Sequence, residues 1–490
     1  MKKRKVRKRF LSLTMTALMA FSCVPVMAAE PQEYDPWSIG DASVTKATYT
    51  VDGKKLYARV YEDYYLNKDQ TSLSDEQFEN AKVAVIVPDG ADENSPIFYM
   101  VDNSGWLSNA YKNLLSNGSS YSTSQDGKGN QAALALKEGY VVVMAGLRSR
   151  GQTDKDGNWN YSPVTVADAK AVIRYLRHND GIVGDTDKIF ISGTSGGGAL
   201  SAAIGSNGNS SDFYEELYAI GAAGMSSKTE STIKDDVFGV VAYCPITDLG
   251  HADGSYEFAY AGARQELRKS GYTEESEGYS LSDSTMAVSP ELAAWWANYV
   301  NDLNISDVSA SFDADNLTAS GSLYDTMKSL IKKCYQKALD ELGQKEFLDT
   351  LKTRTPAPEY KNGTPKQGWQ TDWVIFNNDG TKISDIDMNG YLYYVALGQN
   401  LKNAPAFTNQ GTAEQARNEN NLFGLAEEEY GFLTDIVWKL QPEDSPLKSK
   451  YNSFENYWSK NKEVLTRQAN MVDSIHYLTS LVCASWKQRP

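Results

Sequence analysis

The residues best suited to chemistry stand together in Ile189-Phe190-Ile191-Ser192-Gly193-Thr194-Ser195-Gly196-Gly197-Gly198-Ala199-Leu200, where an apolar run meets a G-x-S-x-G pentapeptide and continues into small residues. That order predicts a buried strand, a sharp corner bearing Ser195, and a helix packed so close that positions 193 and 197 require glycine. A serine hydroxyl at such a corner is placed to attack a carbonyl carbon. The helix beginning after Ser195 directs backbone N–H groups and its positive dipole end to the same point, where the anionic intermediate of acyl transfer would be held. Two other glycine motifs fail on spacing. A phosphate-binding loop ends in Gly-Lys-Ser/Thr, but Gly198 is followed by Ala199-Leu200-Ser201; a dinucleotide fingerprint has glycine at its third position, which counted from Gly193 is Ser195.

A serine nucleophile needs a base within hydrogen-bond reach, usually a histidine oriented by a carboxylate. The chain has 3 histidines. His178 ends the helix that feeds the strand at 188–192, so a strand length of roughly 20 Å separates it from Ser195. His251 follows the strand at 237–244 on the correct edge, where Asp248 can orient it; capping the next helix is the other role open to it. His476 satisfies the chain order Ser, Asp, His, within a helical apolar pattern that includes Tyr477, Leu478 and Leu481. Both remain candidates. The oxyanion hole would combine the N–H of Gly196 with one from Asp102-Asn103-Ser104-Gly105-Trp106, where Gly105 allows a close approach to substrate.

The elements that must position these groups follow from periodicity. Apolar runs at 47–51 and 56–61 flank Asp52-Gly53, a hairpin signal, and strands follow at 82–88 and 96–101. Beyond them helix and strand alternate: a helix near 130–138, a strand at 140–145, a helix at 164–177, the strand at 188–192, the corner, and a strand at 237–244. Alternation of this kind predicts an α/β fold, a mostly parallel sheet with helices on both faces. From 251 to about 465 the text becomes helical and aromatic, an expected lid inserted over the sheet. It holds a helix at 290–300 with Trp295 and Trp296, a long amphipathic helix with Leu323, Met327, Leu330, Cys334 and Leu342 in its apolar stripe, a hairpin around Asn378-Asp379-Gly380, and the cluster Tyr391, Tyr393 and Tyr394. Such a lid suits a flat aromatic ligand.

A chain of 490 residues with 41% hydrophobic and 23% charged residues has the composition of a globular protein larger than one ordinary domain. The net charge of -15 disfavours nucleic acid and anionic membranes as partners and favours a neutral or weakly charged small molecule. Residues 1–28 join a Lys/Arg-rich start to an apolar run and then Val26-Met27-Ala28, which reads as a cleaved secretory signal and a secreted or cell-surface location. Of the remaining cysteines, Cys244, Cys334 and Cys483, at most two can pair, and Cys244 reads as a small buried hydrophobe. No metal or other cofactor is called for.

Gly193-Thr194-Ser195-Gly196-Gly197-Gly198-Ala199-Leu200-Ser201, Val101-Asp102-Asn103-Ser104-Gly105-Trp106, Arg148-Ser149-Arg150-Gly151, Tyr243-Cys244-Pro245-Ile246-Thr247-Asp248 and Asn420-Asn421-Leu422-Phe423-Gly424 together resemble the subtype B bacterial tannase-like α/β-hydrolases. The resemblance implies a secreted serine esterase with a large lid, acting on esters of gallic or related phenolic acids with Ser195 as nucleophile. It divides the chain into a signal at 1–28, a hydrolase core at 29–250, a lid at 251–465 and the start of a returning core segment at 466–490. In that family the catalytic aspartate and histidine follow two further strands beyond the lid. Only about 14 residues follow His476, whereas such an ending needs on the order of 60. The expectation is a C-terminally truncated relative, either an esterase or an impaired one that binds aromatic ligands.

Overall fold

The computed structural model describes residues 44–466 apart from 107–110, 112, 125–126, 150–161, 246–247, 273–279, 355–367, 399–400 and 409–426. The hairpin forms where expected. Strands β1 (Thr45–Val51) and β2 (Lys54–Tyr64) pair antiparallel across Asp52 and Gly53, whose φ of 48° and 78° suit a two-residue turn that follows the strand twist. There follow α1 (Asp75–Asn80), β3 (Lys82–Pro88), β4 (Pro96–Met100), β5 (Ser120–Tyr121), α2 (Lys128–Lys137), β6 (Val141–Ala145), α3 (Ser162–His178), β7 (Asp185–Thr194), α4 (Gly196–Ser206), α5 (Tyr214–Ala219) and β8 (Gly239–Tyr243).

These strands make one sheet in the order β5-β1-β2-β3-β6-β4-β7-β8. Strands β6, β4, β7 and β8 run parallel, as the alternation of helix and strand predicted, while β1, β2, β3 and β6 meet antiparallel. Side chains alternate across each strand, so both faces are covered. Val141 and Val143 enter the layer containing residues of α3 and α4; Val142 and Met144 enter the layer containing residues of α2. Burial on both sides explains why β3 and β6 read as unbroken apolar runs.

The outermost strand departs from expectation. Among the described residues β8 pairs only with β7, and its Val240, Val241 and Tyr243 are exposed. Cys244 is not the buried hydrophobe anticipated: it is exposed just past the end of β8, with φ at 45°. The strand stops one residue earlier than its apolar pattern.

The second region contains α6 (Ala252–Lys269), α7 (Asp283–Asp302), the hairpin β9 (Ser311–Asp313) and β10 (Thr318–Ser320), α8 (Ser322–Leu342), α9 (Gln344–Lys352), the hairpin β11 (Val374–Phe376) and β12 (Ile383–Ile386), α10 (Met388–Leu397), α11 (Glu427–Leu440), α12 (Pro446–Tyr451) and α13 (Phe454–Thr466). Helices α6 and α7 touch at Gly254, where a Cβ would lie 2.6 Å from the Cβ of Trp296. The apolar stripe of α8 is a different one from that predicted. Tyr324, Ile331, Tyr335, Ala338 and Leu339 face the cluster built on Trp373 and Phe347, whereas Met327, Leu330, Cys334 and Leu342 are exposed. The inner face joins two tyrosine rings to Ile331, Ala338 and Leu339, a stripe that the spacing of the aliphatic residues counted from sequence does not reveal. Replacement of Leu339 by Ala is expected to cost about 2–5 kcal/mol of unfolding free energy, and Leu330→Ala under about 0.5 kcal/mol; denaturant titration of the two variants checks this.

Candidate active site

Ser195 stands between β7 and α4 with φ 59° and ψ -117°, a strained backbone for a residue with a Cβ. Its N–H donates to the carbonyl of Tyr243 at 2.9 Å and its carbonyl accepts from Ala199 at 2.9 Å, so the corner is tied to β8 on one side and to α4 on the other. The flanking glycines are required by contact. A Cβ on Gly193 would lie 2.4 Å from the carbonyl oxygen of Gly197, and one on Gly196 would lie 2.4 Å from that of Asn103. The side chain of Ser195 is half-buried, and among the described residues nothing hydrogen-bonds its hydroxyl.

The turn at 103–106 faces the start of α4. Trp106 donates its N–H to Asn103 at 3.1 Å, Gly105 has φ 60°, and the Gly105 nitrogen lies 3.3 Å from the Cβ that a side chain at Gly196 would carry. The structure thus brings together the two glycines expected at the oxyanion position. As first-turn amides, Gly196, Gly197 and Gly198 have no acceptor inside their own helix. Ser149 Oγ donates to the carbonyl of Trp106, and Arg148 before it is locked to Asp168 and Glu216. Burial opposes the charge of Arg148, but the two carboxylates outweigh it and hold the guanidinium above its usual pKa.

Asp248 and His251 do meet, with Asp248 Oδ1 2.8 Å from His251 Nδ1. The other ring nitrogen is 2.8 Å from Glu429 Oε1 of α11, which the sequence reading did not anticipate. The imidazole is buried and stacks on Tyr299 at 3.4 Å between ring centroids and 8° between planes, and Tyr299 OH donates to Asp248 Oδ2 at 2.9 Å. Burial lowers its pKa, but hydrogen bonds to Asp248 and Glu429 more than offset this and raise it to about 9. A protonated ring with both nitrogens on carboxylates has none to offer a serine hydroxyl. His251 in this arrangement is a charged link between the loop after β8 and α11, in place of the base anticipated for it. Glu429 lies 178 residues along the chain from His251, and no local motif announces it.

His178 ends α3, whose chain leads into the start of β7, away from the Ser195 end as anticipated. His476 lies outside the described residues, as do residues 1–28, Ile246 and Thr247, the Asn420-Asn421-Leu422-Phe423-Gly424 motif and Cys483. Among the described residues no group of three His, Cys, Asp or Glu is arranged to hold a metal ion.

A serine elbow at the carboxyl ends of parallel strands, with helices on both faces of the sheet, defines an α/β-hydrolase-like fold. The family model described as BD-FAE matches residues 83–275. Among solved structures the chain is similar to the Fusobacterium nucleatum tannase, at 27% identity and a TM-score of 0.56 over 80% of this chain and 77% of that one. It is similar also to a tannin acyl hydrolase in complex with 3,4-dihydroxybenzoate, at 26% identity and a TM-score of 0.52 over 78% and 74%. The same enzyme type in complex with ethyl gallate matches at 26% and 0.51 over 78% and 74%. No curated protein matches the sequence. These likenesses support a tannase-like α/β-hydrolase family and an esterase.

The charged link has a pH signature. Because the folded pKa of His251, about 9, exceeds the ordinary 6.5, its contribution is complete below about pH 6.5 and is lost as pH rises through about 9. Melting temperature is expected to fall over that window, and His251→Gln is expected to flatten the fall while lowering stability by about 3–5 kcal/mol at neutral pH. Gly196→Ala is expected to force α4 away from the turn at 103–106, read as a lowered melting temperature and loss of reactivity at Ser195.

Proposed function

We propose that this chain is a serine carboxylic-ester hydrolase acting on galloyl or related phenolic-acid esters through an acyl-enzyme on Ser195. The observation that carries the reading is the Ser195 hydroxyl at a strained corner, beside first-turn amides that have no partner within their helix. Ser195 Oγ adds to the ester carbonyl as its proton passes to a base, and the tetrahedral oxygen is stabilised by Gly196 N–H and the turn bearing Gly105. Collapse of that adduct expels the alcohol with a proton; water then adds to the acyl-enzyme and releases the acid and Ser195. The phenolic substrate class is drawn from the related enzymes in complex with 3,4-dihydroxybenzoate and ethyl gallate. Residues 251–465 are read as a lid, and residues 1–28 as a secretory signal.

A second reading, a binding protein for aromatic ligands, is favoured by one observation: no described residue hydrogen-bonds the Ser195 hydroxyl, and His251 is held elsewhere. A fluorophosphonate probe separates the two, since it labels only an activated serine. Labelling of Ser195 and ethyl gallate hydrolysis, with turnover reduced at least about 1,000-fold by Ser195→Ala, are the expected results. An unlabelled, folded chain that still binds the ester would establish the binding protein instead.

A further inference from the structure

Strand β8 is the free margin of the sheet. Strand β7 lies along one side of it, and among the described residues no strand lies along the other. Helix α4 covers one of its faces, where Gly205 meets Val240. The opposite face belongs to Gly239, Val241 and Tyr243, which share it with Phe190, Ser192 and Thr194 through the parallel register. Val241 and Tyr243 are exposed there, and Phe238 is 64% exposed at the entry to the strand.

A row of rings crosses that face toward the margin. Phe98 meets Tyr140 with centroids 6.4 Å apart, Tyr140 meets Phe190 at 6.1 Å, and Phe190 meets Phe238 at 5.1 Å. The row ends in water at Phe238. Edge strands are ordinarily guarded by a charge, a proline or a bulge. Residues 237–244, Val-Phe-Gly-Val-Val-Ala-Tyr-Cys, hold no charge and no proline, and the register with β7 runs without a shift.

The sequence of the margin suits a copy of itself. Two identical strands that meet about a two-fold axis pair antiparallel, and an axis at Val241 sets Gly239 opposite Tyr243 of the second copy and Val240 opposite Ala242. Each large side chain then meets a small one. Opposite residues stand about 4.5–5.5 Å apart, so the Tyr243 ring of the second copy reaches Phe190 and Phe238 and adds the next member of the row. Glycine at 239 is required by Phe190, whose Cδ1 a Cβ would approach to 2.8 Å, and it leaves the backbone bare beside the arriving ring. The net charge of -15 opposes the approach of two copies and is screened by salt, while the contact itself brings no like charges together. A strand of 5 residues and the four exposed side chains of Phe238, Val240, Val241 and Tyr243 cover less than the roughly 800 Å² per partner of a tight complex, so the association is weak and reversible.

We propose that β8 is a self-association surface, through which two copies of this chain join by antiparallel β8–β8 pairing about an axis at Val241 and form one continuous sheet. The proposal is independent of the ester-hydrolase reading. The test is sedimentation velocity of the full chain from about 1 to 200 μM. A reversible monomer–dimer equilibrium that tightens with added salt is expected. Val241→Lys and Val241→Glu each set like charges against one another on the axis and are expected to weaken the dimer at least about tenfold. Because the Val241 side chain is exposed, the melting temperature of each variant is expected to stay within a few degrees of the unsubstituted chain. An equimolar mixture of the two sets opposite charges across the axis and is expected to associate at least about tenfold more tightly than either variant alone.

A chain that stays monomeric over the whole range overturns the proposal, whether its margin is closed by another part of the chain or left bare. So does a dimer that survives Val241→Lys, which would place the contact elsewhere, or a mixture that associates no better than its components, which would exclude this register.

Discussion

The contact of the first turn of α4 with the turn at 103–106 is the constraint on which the site depends. Gly196 sits where a methyl group would strike the carbonyl of Asn103, and Gly197 and Gly198 are similarly pressed against Val101 and Tyr243. Three parallel strands converge there: β7 carries Ser195, β8 accepts its N–H, and the residue after β4 donates to Ser192 at 2.8 Å. A side chain at any of these glycines would lift the helix from the sheet and tilt the hydroxyl out of its corner. The local strain at Ser195 is held in place by packing that leaves the backbone no alternative.

Several buried charges are closed by ions of opposite sign. Lys170 and Arg174 share Asp235, and Arg264 is paired with Glu257 while also reaching the carbonyls of Ser280 and Lys402. Ions taken from water need such complete pairing, since removing one partner strands the other. His251 follows the same rule, as its two carboxylates make it a fixed cation joining chain segments far apart in sequence. The feature that suggests a catalytic base, a histidine three residues after an aspartate, here serves attachment of α11 to the loop after β8.

Much of this was legible in the sequence where a local pattern suffices. Alternating apolar residues and turn dipeptides gave the strands and the first hairpin, and the glycine spacing gave the elbow together with its neighbour at Gly105. What escaped depends on contacts between distant segments. Glu429 beside His251 and Asp253 beneath Phe407 are pairings 178 and 154 residues apart. The inward face of α8 is hidden from aliphatic spacing because Tyr324 and Tyr335 supply part of it. Cys244 reads as buried only if β8 is an interior strand, which is a property of the sheet rather than of the local run.

The position of β8 has a consequence for the molecule in solution. Its outer backbone groups have no strand beside them among the described residues, and Phe238, Val240, Val241 and Tyr243 display apolar surface around that row. A naked margin of this composition is a template for strand addition. A strand added at this margin, from elsewhere in this chain or from another, would extend the same sheet that carries Ser195.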